Sequence, residues 1–292
     1  MTVKWVRWLY GNGGGGPTPA FSVGGGGVNQ DPKDGKPYFW YQNSLYLQLG
    51  TGQETMFRER WGLGPLGDAL LPINYLGRYA EKPIWNFRNE TVRAFLVDWM
   101  CWGNPTHVFS DNMCWQPAMV GHYTPGELAD FWLWLTREMR KRGVTSIIGN
   151  AGAVDPNPPT PATDLCRYLA TCGALDYILF EGRWLYNWSI RQADKMMAFI
   201  DAALGSGCQV ILTAGHKELE YLTTARLFAE MLYKKGVYLS LFQNIVEPTV
   251  MTTAHTRRVT RLAARTLHPS ETKWTRRCRQ GTVVADNGAM SL

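Results

Sequence analysis

From residue 89 onward the apolar positions of the chain alternate between two periods. In NETVRAFLVDWMCWG, Val92, Phe95, Leu96, Trp99 and Met100 recur at helical spacing, Asn89 is placed to cap the first turn, and Gly103 ends the pattern. HVFSD follows as a short strand, with Val108 and Phe109 apolar, and closes on Asp111. TPGELADFWLWLTREMRKRG then reads as a helix with Thr124 as cap, Pro125 in the first helical position, Glu127 completing a capping box, and an apolar face of Leu128, Phe131, Trp132, Leu135 and Met139. Its last turn is basic, and Gly143 stops it.

The same alternation continues. VTSIIGN is an apolar run ending at Asn150, a helix of about ten residues follows near Asp164 to Thr171, and LDYILFEG is a run ending at Glu181. A helix opened by Ser189 and Gln192 carries Ile190, Ala193, Met197, Ile200 and Leu204 and stops at Gly205. QVILTAG is the next strand, a helix is expected from about Leu219 to Lys234, and VYLSLFQN is the strand after it. Strand ends at 111, 150, 181, 213 and 242 lie 39, 31, 32 and 29 residues apart by subtraction. Near-continuous apolar strands alternating with amphipathic helices describe a parallel sheet covered on its faces. An interval near 30 is what about 250 residues divided into eight strand-helix units would give, which predicts an α/β fold of the (β/α)8 TIM-like barrel type. An open doubly wound sheet would share the alternation. It is disfavoured because no GxGxxG follows a strand: the GGGG runs at 13–16 and 24–27 lack a following helix and read as loop.

The first third is less regular. KWVRWLY and YFWYQNSLYLQLG are strand-like, and the Gly/Pro-rich stretch 11–37 between them is too long for an ordinary connection. It is expected to be an irregular N-terminal surface excursion that could frame a site. The whole chain, 1–292, is expected to be a single barrel domain.

Composition changes this picture only modestly. With 292 residues and 45% hydrophobic content the chain can fill a sizeable core. The 13 Trp and 13 Tyr either stack on sugar rings or fill core and loops. The net charge of +6 admits a polyanion, but the basic residues are dispersed apart from a cluster at Arg257, Arg258, Arg261, Arg265, Arg276, Arg277 and Arg279, and no nucleic-acid motif accompanies them. No nucleic-acid partner, membrane span or cofactor is expected. MTVKWVRWLYGN lacks the apolar run of an export signal, although a polysaccharide substrate would place the protein's action outside the cell or on a particle. The six cysteines form no CxxC pair and no zinc-type cluster with histidine, so they read as reduced and structural, and no metal is expected.

In a barrel all strand C-termini open on one face, where polar side chains meet substrate. Here successive ends carry Asp111, Asn150 and Glu181. Glycoside hydrolysis needs a pair of carboxyl groups, one to protonate the leaving oxygen and one to attack the anomeric carbon or activate water, and a nearby amide can hold a sugar hydroxyl. Each residue also has a structural reading: Asp111 as an Asx cap, Asn150 in a left-handed turn before Gly152, Glu181 paired with Arg183. Trp115, Trp184, Tyr186 and Trp188 lie just past the acidic strand ends and are candidate stacking platforms, with Asn112 beside Asp111 as a further substrate contact.

The motifs PIWNFRNETVRAFLVDWM, HVFSDNM, GVTSIIGNAG, LDYILFEGRW and WTRRCRQGTVVADNG resemble, in order, glycoside-hydrolase-like barrel families related to endo-α-1,4-polygalactosaminidases. The resemblance spans roughly residues 83 to 288. It implies Asp111 and Glu181 as catalytic carboxylates, Asn150 as a substrate contact, and a terminal β-hairpin at 273–287. The chain departs from the family pattern at Asn86, where an acid is expected, at Glu90, where proline is usual, and at Cys278, in an aromatic position.

The expected function is therefore a glycosidase acting on a polysaccharide or oligosaccharide, with Asp111 as nucleophile or base. Glu181 is the expected acid because the apolar run Tyr177 to Phe180 before it would raise its pKa. The alternative is a non-catalytic carbohydrate-binding or structural barrel within a larger assembly. A metal-dependent hydrolase would require histidines at strand ends, where only His107 and His216 come near.

Overall fold

The computed structural model describes residues 4–8, 19–24, 31–62, 64–75, 82–152, 161–180, 190–214, 236–241, 266–267, 273–278, 281–286 and 289–291. In chain order its elements are β1 (Lys4–Trp8), β2 (Phe21–Val23), β3 (Tyr38–Asn43), α1 (Gly52–Trp61), β4 (Leu70–Asn74), β5 (Pro83–Trp85), α2 (Glu90–Met100), β6 (His107–Asp111), α3 (Pro125–Lys141), β7 (Ser146–Asn150), α4 (Pro161–Thr171), β8 (Tyr177–Phe180), α5 (Ile190–Gly205), β9 (Gln209–Ala214) and β10 (Val237–Leu241). Four short strands follow: β11 (Thr266–Leu267), β12 (Lys273–Cys278), β13 (Gly281–Asp286) and β14 (Ala289–Ser291), which pair antiparallel in that order.

Eight strands close a barrel in the order β1, β2, β3, β6, β7, β8, β9, β10 and back to β1, every neighbouring pair parallel. The fold is the (β/α)8 barrel expected from the alternation. Because strand side chains point alternately to opposite faces, the core divides in two. Inside the barrel Val6, Phe21, Phe39, Phe109, Ile148, Leu179, Ile211 and Tyr238, one from each strand, form a buried lumen cluster. Outside it, alternate strand residues such as Val108, Ile147 and Ile178 pack against the helices through Phe95, Trp132, Leu135 and Leu169.

The helices form where caps and periodicity place them. The Asn89 side chain accepts from the backbone N–H of Thr91 and Val92 at the start of α2. At α3, Thr124 and Glu127 satisfy each other's backbone N–H groups in a full capping box, and the predicted apolar face is buried throughout. Gly143, with φ of +94°, turns the chain from α3 towards β7. Asp98 of α2 bridges to Arg60 of α1 and to Arg142 after α3, drawing three successive helices together. The helix expected at 219–234 lies outside the described residues.

Two features differ from expectation. The Gly/Pro-rich stretch 11–37 contains β2, a barrel strand whose three residues are all buried and which pairs with β1 and β3. Phe21 and Val23 face the lumen, and that burial outweighs the turn-like composition around them. An exposed turn at 31–36 remains, tied to β1 by Arg7 and Asp34 at 3.2 Å. Secondly, the strand-like run from Tyr38 ends at Asn43. The Asn43 side chain accepts from the N–H of Leu45 and donates to the carbonyl of Tyr46, which turns the chain out of the sheet. The helix α1 follows, capped by Thr51.

Candidate active site

Asp111 is the last residue of β6, in register with Asn43 of β3. Phe109, two residues earlier, belongs to the lumen cluster, so the pleat carries Asp111 to the lumen side of the barrel mouth, where it is half-buried. Three residues hydrogen-bond its carboxylate, Asn112 through its side chain as well as its backbone. Asn150, the last residue of β7, donates from Nδ2 to Oδ1 at 2.7 Å, and the Asn112 backbone N–H donates to the same oxygen at 2.9 Å. The Tyr41 hydroxyl of β3 donates to Oδ2 at 2.5 Å.

Each donor is itself fixed. Asn150 is buried, and its Oδ1 accepts from the Gly152 N–H at 2.9 Å, which leaves the amide nitrogen facing Asp111. The Tyr41 ring lies 5.5 Å from that of Phe109. Asn112 is buried with φ of +60°, a left-handed conformation that asparagine tolerates and that folds its N–H back onto the preceding carboxylate. Burial pushes the Asp111 pKa above the ordinary carboxylate value, while Tyr41, Asn150 and Asn112 act in the opposite direction by hydrogen-bonding the charged form.

Behind the site, Ser110 and Ser44 hydroxyls lie 3.0 Å apart, and Trp132 of α3 donates its indole N–H to Ser44 at 3.2 Å. This joins α3, the exit of β3 and the residue before Asp111.

The structure therefore brings Asp111, Asn112 and Asn150 together. Trp115 is half-buried and packs against the outer helical core. Glu181, Trp184, Tyr186 and Trp188 lie outside the described residues, as does His216. Among the described residues no cation pairs with Asp111, and no group of three His, Cys, Asp or Glu is placed to hold a metal ion. No described helix is long and apolar enough to cross a membrane. The residue that sequence reasoning missed is Tyr41. The signal was present: in YFWYQN the period of two places Phe39, Tyr41 and Asn43 on one face, with Tyr41 towards the C-terminal end of the strand, the end at which β6 carries Asp111.

No protein-family model and no curated protein matches the chain. Solved structures do. Ega3 of Aspergillus fumigatus, in complex with galactosamine, superposes with a TM-score of 0.51 at 11% identity, over 82% of this chain and 90% of that one. Trehalose-6-phosphate hydrolase (TreA) of Bacillus licheniformis superposes with a TM-score of 0.54 at 9% identity, over 82% of this chain. What is shared is the barrel. The chain spans 64% of TreA's length.

Proposed function

We propose that this protein is a glycoside hydrolase acting on a polysaccharide or oligosaccharide, with residues 1–292 forming one catalytic domain. Asp111 serves as nucleophile or base and Glu181 as general acid. The observation that carries this reading is the setting of Asp111: a carboxylate with no cationic partner among the described residues, at the C-terminal end of a barrel strand, gripped by donors from both neighbouring strands. A cap on a surface turn has no need of such an arrangement. Glu181 follows the last residue of β8. Leu179, two residues before it, faces the lumen and is in register with Asn150, which supports reading Glu181 as the partner of Asp111. The likeness in fold to a hydrolase of trehalose 6-phosphate adds support. Asn112 and Trp115, with Trp184, Tyr186 and Trp188, are the proposed sugar contacts.

In this mechanism Glu181 gives its proton to the glycosidic oxygen as the bond to the anomeric carbon breaks. Asp111 either bonds to that carbon or takes a proton from the attacking water. The Asn150 amide holds the Asp111 carboxylate in place and lies beside the sugar. Removing either carboxyl group, by Asp111→Asn or Glu181→Gln, is expected to lower the release of reducing ends from a responsive polysaccharide by about 10²- to 10⁴-fold, with oligosaccharide binding retained in calorimetry. The anomer released first, read by NMR, reports the carboxyl separation: retention for about 5 Å, inversion for about 6.5 to 9.5 Å. Binding without release by the wild-type chain across a broad polysaccharide panel rejects the hydrolase reading in favour of a carbohydrate-binding barrel.

A further inference from the structure

The two oxygens of Asp111 are not equivalent. Oδ1 takes two donors, the Asn150 amide and the Asn112 backbone N–H, which match its two lone pairs in number. Oδ2 takes the Tyr41 hydroxyl, at a separation in the range of charge-assisted O–H···O contacts. Tyr41 sits two register pairs behind Asp111, opposite Phe109 on the adjacent strand and on the same face as Asp111, and its ring packs on Phe109, so the phenol is aimed along the barrel axis towards the mouth.

From this asymmetry we infer that Oδ2 is the reacting oxygen of Asp111 and that Tyr41 is the positioning residue that orients and tunes it. The inference rests on the hydrolase reading given above. A nucleophile or base works through an in-plane lone pair, and Oδ1 has both of its lone pairs engaged. By the hydrogen-bond distances Oδ2 takes one donor, the Tyr41 hydroxyl, against two on Oδ1, so it is the oxygen with more capacity left for a substrate. As a donor to the charged form it also keeps Asp111 ionised against the burial that disfavours charge. The groups facing this carboxylate among the described residues are few. β3 presents the Tyr41 phenol, β7 the neutral Asn150 amide and the β6 exit Asn112, while His107 lies at the opposite end of β6 against the Phe39 ring.

The test uses the full chain in three forms: wild type, Tyr41→Phe, and protein with 3-fluorotyrosine at position 41, whose more acidic phenol is a stronger donor. Two quantities are read across pH: kcat and KM for reducing-end release, and the Asp111 carboxyl titration by carbon NMR, assigned with Asp111→Asn. Tyr41→Phe keeps the ring on Phe109. It is expected to lower kcat about 10- to 100-fold, the worth of one hydrogen bond to a charged group, with little change in KM. Both the acidic limb of the activity profile and the Asp111 midpoint should move upward, and 3-fluorotyrosine should move both downward. Because only differences between forms are compared, the contribution of Glu181 cancels. A Tyr41→Phe enzyme with wild-type kcat and acidic limb overturns the inference, as do coincident Asp111 midpoints in all three forms. Should Tyr41→Phe fail to fold, the fluorinated form carries the test alone. Should the wild type release no sugar, the hydrolase reading fails separately. The carboxyl titration then decides: separated midpoints uphold Tyr41 as what orients Asp111, and coincident ones reject it.

Discussion

A carboxylate drawn part-way out of water is destabilising until donors share its charge, and at Asp111 donors from three residues offset burial only in part. Its folded pKa lies above the ordinary value, so between those two values folding takes up a proton, and stability falls as pH rises through that window. Below the ordinary carboxylate value both states are protonated and the cost disappears. Asp111→Asn, which keeps an oxygen for Asn150 and the Asn112 N–H and offers an NH2 to the Tyr41 oxygen, is therefore expected to be more stable than wild type at neutral pH. The gain, read as a higher Tm at neutral pH, should vanish in thermal melts run at strongly acidic pH. A purely structural Asp111 would give the opposite sign at neutral pH. At this scale the sequence revealed Asp111 and Asn150, because a polar residue ending an apolar strand is conspicuous in one dimension. Tyr41 was hidden, because a tyrosine in an aromatic strand looks like packing, and only the register of β3 with β6 aims its hydroxyl at the carboxylate.

Among the elements, those with local punctuation could be read directly. α2 and α3 begin at Asn89 and Thr124 as their caps foretold, since capping is settled within four residues. α1 escaped notice because GQETMFRERW buries only Gln53 and Phe57 and has no continuous apolar stripe. Its signal was Thr51 as cap, with Glu54 and Arg58 one turn apart and 2.8 Å from each other. β2 escaped because three residues between glycine-rich runs carry too little periodicity to stand out. β7 shows how an element can constrain the site. Gly149 is approached so closely that a Cβ there would come within 2.6 Å of the Leu175 side chain and 3.0 Å of the Met113 sulfur. Met113 is two residues past Asp111, so Gly149→Ala is expected to cost about 1–3 kcal/mol in denaturant unfolding and to lower activity together with stability by displacing the turn after β6. A Gly149→Ala protein with wild-type Cm would show that this contact yields freely.

For the molecule as a whole, closure is the organising fact. β1 pairs with β10 on one side and β2 on the other, so the first described strand is the seam of the ring. Deleting residues 1–8 would leave the backbone N–H and C=O groups of two lumen-lining strands without partners and would remove Val6 from the lumen cluster. A cooperative melt is expected to give way to a broad transition, visible as loss of near-ultraviolet dichroism; a truncated chain melting as sharply as wild type would mean that the seam is dispensable. The link from Trp132 through Ser44 to Ser110 has a different kind of consequence. It anchors the strand end that carries Asp111 from behind, through a helix, and not from the open side of the barrel mouth. Apart from the turn after β6, whose Asn112 N–H bonds the carboxylate, segments at the mouth could then be varied without loosening that foundation, so if the proposed hydrolase reading holds, the scaffold suits laboratory selection of new sugar preferences.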